Sequence, residues 1–525
     1  MKARLLYQAQ DFDFSADLHA AHEDLIQDLE LATLLQVMAD GDKFIYRVSE
    51  EVLLASLRDP AAIRYRQDIL ADCLAQPEVV REMYGVAVGA ETDRRQIWGG
   101  YGGTYQTPAS NLSGAVNHLE AYVTRLRQLR QIADEHAANF RSEGMRTLFA
   151  TLHRELGDDY FEEISYHLRQ LHFKAGVVIS AELNRDNTGI SFVLRTSADE
   201  RPRWKERLGL EPRSAYSFSI PPRDEAGGQI LADLTSRGTN LVANAAAQSA
   251  DHIRSYFAML RAELGFYVGC LNLAGRLAAK GTPTCIPEPS QPSAVTFNCM
   301  DLRDACLELH SPGVVTGNDV QAGGKPLVII TGANSGGKST FLRSVGVAQL
   351  MMQCGLFVTA RSYRAGLSSG IFTHFIREED AGLTSGRLDD ELKRMSAIAG
   401  QIEPHSLVLF NESFAGTNER EGSEIGRQVV RALLDAQVRV LFVSHRFDFA
   451  DSFRRDRADS VLFLRAGRQP DGSRNYKLAV KAPLPTSFGE DLYYRLGGWL
   501  DEDTPAAAQA SRGADDRSPA VRQAG

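Results

Sequence analysis

The feature that most limits what this chain can fold into is the run Gly332-Ala-Asn-Ser-Gly-Gly-Lys338-Ser339. It fits the pattern G-x-x-x-x-G-K-[ST], and its surroundings fit too. The apolar run Leu327-Val-Ile-Ile330 precedes it, and Phe341-Leu-Arg-Ser-Val opens a helical pattern after it. Glycines let backbone N–H groups wrap closely round phosphate oxygens. The N-terminus of the next helix favours their negative charge. In such a loop Gly332, Ala333, Asn334, Ser335, Gly336, Gly337, Lys338, Ser339 and Thr340 cradle the phosphates of ATP. Lys338 is placed to reach the β- and γ-phosphates, and the Ser339 hydroxyl to ligate Mg²⁺.

A strand–loop–helix of this kind belongs in a parallel sheet covered by helices. Two further apolar runs, Leu407-Val-Leu-Phe410 and Val438-Arg-Val-Leu-Phe-Val443, read as its other strands, with helical spacing between them. The first runs into Asn411-Glu412. Asp is usual at the first of these positions, where it holds Mg²⁺ through water; Asn411 accepts hydrogen bonds but carries no charge. Glu412 suits a base or a water-orienting group. The second run ends in Ser444-His445, where a neutral imidazole can donate to a γ-phosphate oxygen. Glu412, His445 and Lys338 are the candidate catalytic residues, and Ser339 and Asn411 the candidate metal ligands.

Before Met300 the pattern differs. From Glu23 to Leu277 helical spacing dominates, as in Val116, Leu119, Tyr122, Val123, Leu126, Leu129 and again in Ile253, Tyr256, Phe257, Leu260, Leu264, Leu271. Within it Gly176-Val-Val-Ile-Ser and Gly189-Ile-Ser-Phe-Val-Leu read as strands round the turn-rich Asn184-Arg-Asp-Asn-Thr. A Pro-rich stretch, Thr282 to Pro292, reads as a separator. Beyond Asp501 large apolar residues nearly vanish, which predicts a disordered tail. The expected fold class is thus multidomain: a helical region with a small β-containing clamp at 1–300, an α/β nucleotide-binding domain at 301–500, and a tail at 501–525.

The net charge of −9 argues against bulk attraction to nucleic acid, although placed Lys and Arg can still grip phosphates. None of the six cysteines forms a CxxC pair, so zinc is not expected and reduced cytoplasmic thiols are. The N-terminus turns acidic too early for a secretory leader, and the apolar stretch between Arg343 and Arg361 reads as a buried helix running into a strand, so no membrane span is expected.

These residues resemble the MutS family. Ile330-Thr-Gly-Ala-Asn-Ser-Gly-Gly-Lys-Ser-Thr-Phe-Leu-Arg343 is similar to that family's phosphate loop. Cys354-Gly-Leu-Phe-Val-Thr-Ala, Gly370-Ile-Phe-Thr, Ser385-Gly-Arg-Leu-Asp-Asp-Glu391, Leu407 to Asn418 and Val443-Ser-His445 resemble its later segments, in the same order. The likeness is densest from Lys325 to Ala450. Farther out, Val315-Thr-Gly-Asn318-Asp319 resembles the segment bordering the adenine, and Ser487-Phe-Gly-Glu-Asp-Leu-Tyr-Tyr-Arg-Leu-Gly resembles a C-terminal dimerisation segment. Near the N-terminus the segment from Asp28, and later Leu264 to Leu277, resemble the core and lever. The chain departs from mismatch-repair members in two ways. It begins almost directly in the lever-like region, without their mismatch-reading domain, and Phe161-Glu-Glu163, the nearest match to their Phe-x-Glu wedge, lies in a helical pattern. The second departure is Asn411, which implies slow hydrolysis or a differently held metal.

The resemblance implies a homodimer with composite ATP sites, one subunit giving the loop, Asn411, Glu412 and His445, the other Gly416-Thr417-Asn418. It also implies an ATPase that moves a clamp on DNA, reading structure rather than sequence. Candidate DNA contacts are Arg195, Arg201, Arg203, Lys205 and Arg207 around Trp204, and the aromatic run Trp98 to Tyr105. Alternatives are a regulatory or assembly factor whose clamp grips a protein, a nucleotide-sensing scaffold that hydrolyses little, and a transporter-type or chromosome-type ATPase. The last needs an LSGGQ-like stretch, which Thr384-Ser-Gly-Arg-Leu-Asp-Asp matches poorly.

Overall fold

A computed structural model describes residues 1–13, 21–99, 108–173, 176–186, 188–195, 219–221, 223–377, 386–469 and 471–486, the side chains of 21 and 97–99 excepted. The cluster Arg201 to Arg207, the aromatic run from 100 to 105, Thr384-Ser385, the segment from Ser487 and the tail from 501 lie outside these residues. The chain divides into two units.

The first unit takes Met1–Ala16, Met38–Glu51 and Arg64–Asn272. Its helices include Pro77–Gly99, Pro108–His136, Glu143–Glu155, Asp158–Leu171 and most of the 55-residue helix Glu225–Ala279. The three- and four-residue spacing seen in the sequence is the buried stripe of Pro108–His136: Leu112, Val116, Leu119, Tyr122, Val123, Leu126 and Leu129 all face inward. Pro108 opens that helix, where its missing N–H has no partner to lose. Helix Glu143–Glu155 is capped by Ser142, whose hydroxyl accepts from Met145 N, while Asp72 accepts from Ser142 N at 2.7 Å. Phe161 is buried in helix Asp158–Leu171 with the Arg127 guanidinium 5.1 Å from its ring, so it serves as a core residue.

The chain's first residues thread into this unit. Glu263, fully buried, accepts from the backbone N–H groups of Leu5 and Leu6. Tyr267 donates to Leu5 O and Arg66 to Leu6 O, each at 2.7 Å. The expected strand pair is present: β1 (Val178–Leu183) runs antiparallel to β2 (Gly189–Arg195), with an irregularity between Ser180 and Glu182.

The second unit takes Asp17–Val37, Val52–Ile63 and everything from Leu273, so two early segments join the later half of the chain. It carries two sheets. One is ordered β3-β7-β4-β5, from Glu288–Ser290, Ser362–Gly366, Phe297–Leu302 and Asn318–Gln321. The Pro-rich stretch is thus more than a separator, because its Glu288–Ser290 is a strand paired parallel with β7. Pro is tolerated there because β3 is an edge strand.

The larger sheet is ordered β12-β11-β6-β10-β9-β8. Its strands are β6 (Leu327–Gly332), β8 (Ile371–Phe375), β9 (Leu407–Asn411), β10 (Arg439–Val443), β11 (Val461–Ala466) and β12 (Leu478–Val480). All pairings are parallel except β11 with β12. Every residue of β6 and β10 is buried, which is why apolar residues run together there rather than alternate; Arg439, the buried exception in β10, donates to Gly366 O at 2.9 Å. Helices Glu419–Asp435 and Phe447–Asp456 contribute to a core cluster against the strands, where Phe442 lies 4.9 Å from Phe410 and 4.5 Å from Phe449, ring centre to ring centre. Helix Lys338–Gln353, buried along nearly its whole length, contacts β6, β9 and β10.

Candidate functional site

Strand β6 ends at Gly332 in the left-handed region, φ 104°. A Cβ there would meet the backbone of β11, with Ala466 N at 2.8 Å and Ala466 O at 2.9 Å. Only glycine lets the chain turn this close to its neighbouring strand. The loop that follows includes Ser335 at φ 55° and closes at Gly337, φ 85°, which caps helix Lys338–Gln353.

Lys338 is the first residue of that helix and is 5% exposed. Its Nζ donates to Gly332 O at 3.1 Å and Ala333 O at 3.0 Å. Burial lowers its pKa, opposed by the negative charge of Glu412. Ser339 Oγ donates to Asn411 Oδ1 at 2.9 Å, so the two candidate metal ligands, 72 residues apart, lie side by side. Next to Asn411, Glu412 sits at φ 54° with its N–H bonded to Val443 O on β10. His445 Nδ1 is 3.9 Å from Glu412 Oε1, too long for a direct hydrogen bond. His445 and then Lys338 hold the Glu412 carboxyl below its ordinary range, against the effect of burial.

Lys338, Ser339, Asn411, Glu412 and His445 therefore meet at the C-terminal ends of β6, β9 and β10, adjacent parallel strands. A cleft of about 720 Å³ opens beside them. It is lined by Asn334 to Thr340, Glu412, and by Val315, Thr316 and Asn318 of the segment singled out in the sequence. Sequence reasoning missed Leu302, Asp304 and Tyr476, which also line it. Tyr476 is held by Asn318, whose Nδ2 donates to Tyr476 O at 3.2 Å and whose Oδ1 accepts from Leu478 N at 2.8 Å. Nothing periodic marks Tyr476 in the sequence. The signal available was a lone aromatic at the end of the polar stretch Asp471-Gly-Ser-Arg-Asn475. Arg474 donates to Asn334 O at 3.1 Å and ties the same segment to the loop.

A buried network reaches from Ser413 to Gly416. Burial pushes the His374 imidazole down to about 4, so the ring is neutral at pH 7. Its Nε2 lies 2.9 Å from Glu391 O and its Nδ1 2.7 Å from Ser413 Oγ. With one ring proton, Nε2–H donates to the Glu391 carbonyl, and the Ser413 hydroxyl, which donates to His374 O at 2.5 Å, lies against Nδ1. Glu391, 4% exposed, accepts from Gly416 N at 3.3 Å. Asn418 caps helix Glu419–Asp435 by accepting from Glu421 N at 3.0 Å, and Thr417 donates to Glu421. Gly416, Thr417 and Asn418 thus sit on a braced turn at a helix start. Of the candidate DNA contacts, Trp98 lies on the last turn of helix Pro77–Gly99, and Arg195 donates to Ser180 across the β1–β2 pair at 2.8 Å.

All six cysteines are free thiols. Among the described residues no group of three or more His, Cys, Asp or Glu forms a metal site, and no helix is long and apolar enough to cross a membrane.

In its described residues this is a mixed helix-and-sheet protein of two units and several sheets. Two family profiles match it in succession: the MutS2 N-terminal domain over residues 58–280 and MutS domain V over residues 328–489. The chain belongs to the MutS family. Among named proteins it is 25% identical over 222 residues to the Endonuclease MutS2 of Lactobacillus helveticus, covering 41% of this chain and 28% of that one. It is 36% identical over 132 residues to a probable DNA mismatch repair protein Msh6 of Drosophila melanogaster, covering 25% and 11%. It is 32% identical over 181 residues to the DNA mismatch repair protein MutS of Chloroflexus aurantiacus, covering 31% and 19%. The matched region is thus less than a third of each relative's length.

Proposed function

We propose that this chain is an ATP-dependent DNA-binding protein whose second unit is a P-loop ATPase, acting in DNA repair or recombination. The observation that carries this reading is the convergence of Lys338, Ser339, Asn411, Glu412 and His445 on one glycine loop at the ends of three parallel strands. ATP enters the cleft with its phosphates in the loop and its base toward Val315 and Tyr476. Lys338 exchanges its two carbonyl partners for phosphate oxygens, a charge-assisted contact worth about 1.5–3 kcal/mol. Glu412, kept ionised by His445 and Lys338, orients a water for attack on the γ-phosphate. His445 senses that phosphate from the adjacent strand.

The adjacent oxygens of Ser339 and Asn411 suit Mg²⁺, a hard cation that prefers oxygen ligands and shares them with substrate phosphates. Held by Ser339 and Asn411, Mg²⁺ would neutralise phosphate charge. Asn411 contributes a dipole where a carboxylate would contribute a charge, so we expect slow hydrolysis. In a homodimer the braced turn Gly416–Asn418 of a second copy completes each site. ATP cements the pair, and its hydrolysis loosens it. The relatives' names, an endonuclease MutS2 and two mismatch-repair proteins, support DNA as the partner. We place the contact on the β1–β2 hairpin and its flanking basic residues, reading structure rather than sequence.

Equilibrium dialysis of ATP with Mg²⁺ tests the first step: Lys338→Ala should weaken uptake about 10- to 100-fold, the equivalent of one lost charge-assisted contact. A panel of duplex, mismatched, branched and single-stranded DNA, with and without ATP, tests the second. Failure of the wild-type chain to take up millimolar ATP would end the ATPase reading.

A further inference from the structure

A second cleft, of about 400 Å³, lies wholly within the helical unit and is independent of the nucleotide site. Its floor is apolar. Tyr122 of helix Pro108–His136 and Phe257 of the long helix Glu225–Ala279 lie ring to ring at 5.9 Å, and Ala87 and Ala90 of helix Pro77–Gly99 complete it. All four are buried. Its walls are cationic: Arg94 and Arg95 from one helix face Arg254 and Arg261 from another, with Glu91 the carboxylate among the lining residues.

Carboxylates nearby meet these charges only in part. Glu91 engages Arg94 with both oxygens, at 2.7 and 3.3 Å, and stands 3.6 Å from Arg95. Asp251, 70% exposed, stands 3.3 Å from Arg254. Arg261 lies over the Phe44 ring at 3.8 Å, near the Tyr84 hydroxyl, and its Nε is buried without a hydrogen-bond partner among the described residues. Four guanidiniums converging from two helices against two carboxylates repel one another. Such an arrangement is stabilised by an anion that accepts their spare N–H groups. Arginine forks match the paired oxygens of a phosphate, and an aromatic floor matches a planar ring.

We propose that this cleft binds a nucleotide-sized phosphate ester, its phosphate held by Arg94, Arg254 and Arg261 and its ring against the apolar side of the cleft. The shared chemistry is a phosphate joined to a planar base. It comes either from a free mononucleotide or from one unit of a nucleic-acid strand. At this size the cleft holds one such unit, at the small end of ligand pockets.

Isothermal titration of the full chain with thymidine 5′-monophosphate, thymidine, inorganic phosphate and a thymidine tetranucleotide separates the outcomes. Thymidine compounds are chosen because they carry no adenine for the first cleft. The proposal expects the monophosphate or the tetranucleotide to bind at least about tenfold more tightly than thymidine or inorganic phosphate alone. The tighter of the two names the source. Arg254→Ala should lower that affinity about tenfold or more, and Arg254→Lys should restore part of it, since a lysine keeps the charge and loses the fork. Arg95→Ala, at an exposed rim position, is the second variant and should weaken binding without touching the core. Lys338→Ala should leave binding unchanged. The idea is overturned if none of the four probes binds, if inorganic phosphate binds as well as the monophosphate, or if binding survives both Arg254→Ala and Arg95→Ala.

Discussion

Glu263 makes the first unit's stability depend on pH in an unusual direction. Its carboxyl is fully buried, and burial pushes its pKa up to about 7, although the Leu5 and Leu6 N–H groups partly oppose the shift. The unfolded chain releases this proton near the ordinary value of 4.5. Between those values the folded state holds a proton that the unfolded state has lost, so stability falls as pH rises from about 4.5 through 7. A shift of roughly two and a half units at about 1.4 kcal/mol each gives about 3 kcal/mol, most of it lost between pH 5 and pH 8. Glu263→Gln keeps an oxygen for Leu5 and Leu6 and cannot ionise. Its amide would occupy the place of Oε1, a buried oxygen without a partner, at a cost of about 1–3 kcal/mol. The variant should therefore be the less stable protein at pH 5 and should recover about 2–3 kcal/mol relative to wild type by pH 8. Urea unfolding of both proteins, followed by circular dichroism at several pH values, reads that difference directly. A gap between the two midpoints that stays constant from pH 5 to pH 8 would refute the reasoning.

Three other perturbations test the second unit. Asn411→Asp restores a charge beside Ser339 and should raise ATP turnover about tenfold while lowering the Mg²⁺ concentration needed, measured by phosphate release across a Mg²⁺ series. Gly332→Ala forces a Cβ against Ala466 in a left-handed conformation and should destabilise by about 2 kcal/mol or more, seen as a lower urea midpoint. Glu391→Ala frees the Gly416 N–H and should speed its hydrogen exchange about tenfold, equivalent to one net hydrogen bond, with exchange across β10 unchanged.

The loop from Gly332 to Thr340 and the strands at 327, 407 and 439 were legible because each is a local pattern. A buried parallel strand is mostly apolar on both faces, and a loop that wraps closely round phosphates is rich in glycine. The helical stripe from Leu112 to Leu129 and the strand pair round Asn184 were legible for the same reason. Strand β3 was hidden by its prolines, which an edge position tolerates. The grouping of Asp17–Val37 and Val52–Ile63 with the later half of the chain was invisible, since it depends on contacts hundreds of residues away.

His374 shows the limit most clearly. In the sequence it is one histidine after Ile371-Phe372-Thr373, and nothing local sets its protonation. Its neutrality comes from burial between Glu391 O and Ser413, whose positions depend on how a helix and a second strand pack round it. By itself the sequence offered Lys338, Ser339, Asn411, Glu412 and His445 as candidates for phosphate, metal and water, because side-chain chemistry and backbone freedom are properties of short segments. Only the tertiary structure decided that Ser339 touches Asn411, that His445 stands beside Glu412, and that Tyr476 closes the cleft. Proximity between distant segments follows from strand order and burial, which no short stretch encodes.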